Sequence, residues 1–302
     1  MERVAAESAG IDRAGFGRVR AAFARVVFIC ASLALSGCLG LEAYYPATEA
    51  PDYIKAGKGD IRLTTTRVLG GPLSPIVRNI AVPRGKLASA RGLEQYLLKT
   101  LHPLDVVIVR SRPALTRLAF PTHFTHVTIW LGKEGELKRA GVTRLAGVRP
   151  HLEDIEDGKT LLESANDDVH LSEIFEIMNT SEIAIVRLAW ARGDQRRRYS
   201  HMFEYLGQPF DYNFDLEDER RLTCIEVMAE VFPEVKLPVR YTTGRYTYIP
   251  DDLARMSTRP GSGVKLVAYI TPDGNGGFSV NGGGAMLRTL SMPSRRNGDG
   301  PS

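Results

Sequence analysis

Five short apolar runs, each the length of a strand, constrain most tightly what this chain can fold into. Asp105-Val106-Val107-Ile108-Val109 reads as a buried strand, because four consecutive large aliphatics leave no polar face. Thr125 to Leu131, Thr160 to Ser164, Ile183 to Leu188 and Val264 to Ile270 read as further strands. Helical spacing alternates with them. Leu87, Ala90, Leu93, Leu97, Leu98 and Leu101 predict an amphipathic helix over Lys86 to Leu101, with Gly92 inside it. Pro113 to Phe120 suits a short helix, Gln195 to Leu206 a longer one stopped by Gly207-Gln208-Pro209, and about Cys224 to Phe232 another. An acidic, turn-rich stretch runs from His151 to Lys159. The pattern predicts one α+β domain over 86–271. Residues 38–85 read as a tether and lead-in, since from 39 onward they hold Pro, Gly and Thr with little periodicity. Residues 272–302 read as a disordered Gly-rich tail.

The chain has 302 residues, 43% apolar and 25% charged, enough for a sizeable core. Its formal charge of +4 is too small and scattered to indicate nucleic acid as a partner, and the first 37 residues supply part of it with five Arg against three acids. The one dense basic run, Arg196 to Arg198, suits a solvated helix face.

Those first residues are an address. Arg18, Arg20 and Arg25 precede Val26 to Leu35, ten residues without a charge. That is too short for a bilayer span of about 20 residues, but it fits the apolar core of an export signal over 1–37. Leu35-Ser36-Gly37-Cys38 then resembles the lipobox of bacterial lipoproteins. The resemblance implies lipid on Cys38, a membrane-tethered chain in the bacterial cell envelope facing the periplasm, and loss of Cys30 with the signal. Leu39 in place of Asp after that Cys resembles outer-membrane sorting in enteric bacteria.

Cys224 would then be the sole free thiol of the mature protein. Exported chains usually pair their thiols, so Cys224 is either a small buried hydrophobe or a thiol kept for its chemistry. It precedes Ile225, Val227, Met228 and Val231, which places it where a helix begins. Unpaired N–H groups and partial positive charge at such a terminus stabilise a thiolate. His126 opens a predicted strand, and a thiol at a helix start with a histidine at a strand start suits a cysteine-hydrolase dyad. Glu163, at the end of a strand, is the candidate to orient the ring. His123 competes with His126, but on a strand the two would face opposite sides. The pair lacks the Glu of an H-E-x-x-H zinc helix, and no two cysteines share metal-site spacing, so no metal or other cofactor is expected.

These segments resemble the YiiX/YaeF-type permuted papain-fold enzymes, relatives of the NlpC-type cell-wall peptidases. Leu104 to Val109 is similar to that group's opening G-D-I-V-F strand, and Thr125-His126-Val127-Thr128-Ile129 to its S-H-V-G-I. Leu161-Leu162-Glu163-Ser164-Ala165 resembles V-I-E-A, and Val186-Arg187-Leu188 resembles V-L-R. Pro209-Phe210-Asp211-Tyr212-Asn213-Phe214, Leu222-Thr223-Cys224-Ile225-Glu226 and Ile249-Pro250-Asp251-Asp252-Leu253 resemble P-Y-D-F-x-F, Y-C-S-E-L and T-P-D-D-L. The resemblance implies a circularly permuted papain-like fold, a small antiparallel sheet or barrel packed against helices. It implies an amidase or peptidase acting through a thioester on Cys224, with His126 as base and Glu163 as third member, on peptide or amide substrates of the cell envelope. Tyr212 and the Cys224 N–H are the candidate oxyanion donors. Two other functions stay open: lipid or acyl-ester chemistry, as in relatives of lecithin:retinol acyltransferase, and an inactive envelope-binding lipoprotein.

Overall fold

The computed structural model describes residues 43–45, 84–111, 122–190, 192–242 and 245–291. The signal segment 1–37, Cys38, most of the predicted tether and the predicted Pro113–Phe120 helix lie outside the described residues.

The chain begins, among these, with β1 (Ala43–Tyr45), α1 (Leu93–Thr100), β2 (Val106–Arg110) and β3 (His126–Trp130). α2 (Glu134–Arg139) and α3 (Leu152–Glu156) follow, then the hairpin β4 (Leu161–Ala165) and β5 (Asp168–Ser172), α4 (Ile174–Met178), β6 (Glu182–Leu188), α5 (Gln195–Glu204) and α6 (Cys224–Val231). β7 (Val239–Thr242), β8 (Arg245–Thr247), α7 (Pro250–Met256), β9 (Val264–Pro272), β10 (Phe278–Asn281) and α8 (Gly283–Ser291) complete the order. Seven strands form one open sheet in the order β10-β9-β6-β2-β3-β4-β5, antiparallel at every step. The sheet does not close into a barrel. A small antiparallel sheet, β1-β7-β8, draws part of the predicted tether into the fold.

Helices cover both faces, which is why β2 and β6 read as unbroken apolar runs. Val106 and Ile108 enter a cluster with Tyr199 and Met202 of α5 and Val227 and Met228 of α6. Val107 and Val109 point the other way, into a cluster with Leu93 and Leu97 of α1 and Ile177 of α4. Each fully buried side chain of this kind contributes about 1.5–3 kcal/mol of transfer free energy. At one end Asp105, buried, accepts two hydrogen bonds from Arg187 at 2.7 Å and one from His102 N–H at 2.8 Å, tying β2 to β6.

Two expectations are corrected. The helix predicted over Lys86–Leu101 starts only at Leu93, because Gly92 takes φ 75°, the left-handed region that ends or precedes a helix. Leu87 and Ala90 are still buried, from turns. The segment predicted as a disordered tail carries β10 and α8, so the folded domain runs on to Ser291. Its glycines build a hairpin: the Asp273 carboxylate accepts N–H bonds from Asn275 at 2.7 Å and Gly277 at 2.9 Å, and Gly274 and Gly276 take positive φ. Met286 and Leu290, four apart on α8, are buried.

Candidate active site

Cys224 is the first residue of α6, and the local sequence fixes it there. Thr223 caps the helix by accepting the Glu226 N–H, while a carboxyl oxygen of Glu226 accepts the Thr223 N–H at 2.9 Å. This reciprocal box is the sequence signal Thr-x-x-Glu. The stretch before it is held as firmly. Leu222 N–H donates to Pro209 O at 3.0 Å, and the Ser164 hydroxyl donates to Leu222 O at 2.6 Å. Ser164 adjoins Glu163, so one strand sets both the third candidate residue and the approach to the thiol. Asp211 is buried in the loop between and accepts N–H bonds from Asn213 and Asp215 at 2.8 and 2.6 Å.

His126 opens β3, and its lead-in is pinned from α7. The Asp251 carboxylate accepts the N–H groups of His123 at 2.9 Å and Phe124 at 2.8 Å. Ladder pairing of β3 with β4 is confined to Ile129 with Leu162 and Trp130 with Leu161. Toward His126 the ladder stops, and Thr128 gives its hydroxyl to Leu162 O instead. Helix α6 packs against these same two strands. There the three candidate residues meet.

His126 Nε2 lies 2.5 Å from Glu163 Oε2, a short charge-assisted hydrogen bond. With Nε2 so engaged, Nδ1 is the ring nitrogen left over for the Cys224 thiol, which stands at the start of the helix packed on β3. Cys224 is 7% exposed, so the pair is largely shielded from water. Burial opposes charge on His126, but the Cys224 charge and hydrogen bond, joined by those of Glu163, outweigh it and hold the imidazole well above its usual range. Burial likewise favours the neutral acid at Glu163, and the His126 hydrogen bond and charge reverse this, keeping its carboxyl below the usual range. A second buried carboxyl, Glu226, is pushed up to about 8 by burial, with Asp211 adding to the effect. It is therefore largely neutral at pH 7.

The Cys224 N–H occupies the first helical position, one of the donors a helix leaves without an internal acceptor. It can face an oxyanion on the atom attacked by its own sulfur. Tyr212 differs from expectation. Its hydroxyl donates to Asn166 O, and its ring stacks edge-on against Phe210 at 4.9 Å, so its single O–H is committed to the hairpin turn. His123 stands apart, bonded to Glu182 at 2.7 Å and within 3.1 Å of Arg110. Ile225 is buried in the same core cluster as Cys224. The residue that sequence reasoning missed is His170, directly opposite Glu163 in the β4–β5 ladder, with Nε2 3.7 Å from Glu163 Oε1. The only signal for it was its odd-numbered place in the alternating strand Asp168-Val169-His170-Leu171-Ser172. Among the described residues, no cluster of three or more His, Cys, Asp or Glu side chains has the geometry to hold a metal ion, and no helix is long and apolar enough to cross a membrane.

Comparison with protein families matches residues 100–273 to the permuted papain-like amidase enzymes of the YaeF/YiiX, C92 family. The chain belongs to that family. The match spans β2 to β9 and so contains Cys224, His126 and Glu163. Comparisons with curated proteins and with solved structures yield no match. Family membership makes the domain a permuted papain-like cysteine hydrolase of the amidase and peptidase class.

Proposed function

We propose that this C92 enzyme is a membrane-tethered amidase or peptidase of the bacterial cell envelope that cleaves cell-wall peptides through a thioester on Cys224. The reading is supported by the placement of Cys224 at the first turn of α6, a helix packed on the strand that carries His126, whose imidazole Glu163 holds at 2.5 Å and whose proton affinity the thiol raises. The Cys224 thiolate attacks the carbonyl carbon of the scissile amide, and the Cys224 N–H donates to the oxyanion that forms. Imidazolium His126 protonates the leaving amine as the C–N bond breaks, leaving a thioester. Neutral His126 then takes a proton from water, hydroxide adds to the thioester, and the carboxylic acid leaves as the thiolate is regenerated. Glu163 orients the ring and offsets its positive charge throughout. Location rests on the charge-free Val26–Leu35 run and on Leu-Ser-Gly-Cys38, which suit a lipid anchor facing the periplasm.

The test of the chemistry is incubation of the purified domain with defined muropeptides, followed by mass spectrometry. New amine and carboxylate termini are expected with the wild type and not with Cys224→Ala. Intact muropeptides alongside turnover of acyl esters would move the substrate to lipid or ester chemistry, and absence of both would leave an envelope-binding role. For the anchor, labelled palmitate should enter the chain and be lost in Cys38→Ala. Label that persists in that variant contradicts lipidation at Cys38.

A further inference from the structure

Glu163 has two carboxylate oxygens, and His126 engages one of them. The other, Oε1, faces the second imidazole: His170 Nε2 is 3.7 Å away. The two residues are direct partners across an antiparallel ladder, so their side chains emerge on the same face. The far side of the His170 ring fixes its hydrogen. Nδ1 faces only acceptors, the Asp168 carbonyl at 3.1 Å and Asp168 Oδ1 at 3.2 Å, so Nδ1 is the donor. Nε2 then presents hydrogen and positive charge to Glu163 only in the doubly protonated ring. The His170 side chain is a third exposed on the edge strand, whereas Glu163 is 7% exposed, so protons reach the first readily and the second poorly.

We propose that His170 is a positioning residue of this site: its imidazolium holds Glu163 ionised and turned to His126, and adds positive charge that favours the Cys224 thiolate at acid pH. The inference rests on the thiol-hydrolase reading above. It extends the array to Asp168, His170, Glu163, His126 and Cys224, running from solvent at the sheet edge to the nucleophile. The charged groups around His170 are Asp168 on its own strand, Glu163 on β4 with His126 beyond it, and Glu176 on α4. The influence of His170 is electrostatic, since 3.7 Å is too long for a strong hydrogen bond. It reaches the sulfur through Glu163 and His126, so its effect is smaller than theirs. The sign follows from charge. A nearby cation lowers the pH at which a thiolate forms, and the His170 ring carries that charge only when doubly protonated.

The test measures the rate at which iodoacetamide alkylates Cys224, with the site read by mass spectrometry, from about pH 5 to 9. The proteins are the wild type, His170→Gln and His170→Ala, with melting temperatures taken alongside. Both variants should react about threefold more slowly than the wild type at the acid end of the range and converge with it at the alkaline end, because only the doubly protonated ring carries the charge they lack. Superimposable profiles overturn the proposal. So does an equal slowing at every pH, which is what a merely structural loss gives. If the wild type itself reacts only above the ordinary thiol range of about 8.5, the thiol-hydrolase reading fails and takes the proposal with it. A wild type reactive at low pH with unchanged variants overturns the role of His170 alone.

Discussion

Two histidine–carboxylate pairs stand three residues apart in the chain, and their surroundings divide their roles. His126 meets Glu163 at 2.5 Å and a thiol on its other side. His123 meets Glu182 at 2.7 Å, but Arg110 also donates to that carboxylate at 3.0 Å, and the Tyr269 hydroxyl donates to it as well. Burial works against charge on Glu182, and the His123, Tyr269 and Arg110 contacts together keep its carboxyl below the usual range. That pair is a closed ionic knot joining β2, β6 and β9 to the lead-in of β3. The first pair instead leaves the second nitrogen of its ring for the thiol. A His–Glu pair is therefore no sign of chemistry by itself; what faces the second ring nitrogen decides.

The largest expected effects fall on the open pair. Cys224→Ala should lower amide hydrolysis to background with the fold intact by circular dichroism. His126→Ala should come close to it, and the double variant should be little worse than either, because the two residues act as one unit. Additive losses would break the comparison. Glu163→Gln keeps the shape but not the charge and should lose ~10- to 1,000-fold in kcat/KM, by analogy with the smaller cost of removing a triad's third member.

The closed knot should answer in stability instead. Glu182→Gln leaves Arg110, His123 and Tyr269 facing a neutral amide, which should cost about 1–3 kcal/mol. In a domain of this size that lowers Tm by roughly 2–4 °C for each kcal/mol. The smallest effect on rate belongs to His123→Ala, which should keep kcat/KM within a few-fold while lowering Tm. A dead His123→Ala with an active His126→Ala would reverse the assignment of the two rings. The pH profile sharpens the contrast. An imidazole held well above 6.5 keeps its proton for the leaving amine past neutrality, so the alkaline limb of kcat/KM should lie above the ordinary histidine range. Each limb belongs to the coupled Cys224–His126 pair rather than to one residue.

How much of this could be read from the chain differs by element. β2, β3 and β6 were legible because both sheet faces are buried, which leaves long aliphatic runs. Cys224 at a helix start was legible from Thr223, Glu226 and the apolar spacing behind them. The meeting of Cys224 with His126, 98 positions away, was not legible from spacing, and only the resemblance of ordered segments pointed to it. β5 escaped notice because an edge strand with one solvated face, Asp168 to Ser172, looks like a polar loop. With it went His170. The last strand and helix escaped because glycine was read as disorder where Asp273 uses it to turn a hairpin. For Tyr212 a motif gives the ring's place but not where its hydroxyl points, which is at Asn166 O.

The central claim is that Cys224 and His126 form an ion pair, and NMR titration of the His126 ring tests it most directly in the wild type and in Cys224→Ala. With the thiolate present the imidazole should hold its proton well above the usual range near 6.5, and without it the titration should move to lower pH, since burial then opposes the charge with only Glu163 to support it. An unshifted titration in the wild type, or the same curve in both proteins, would contradict the account.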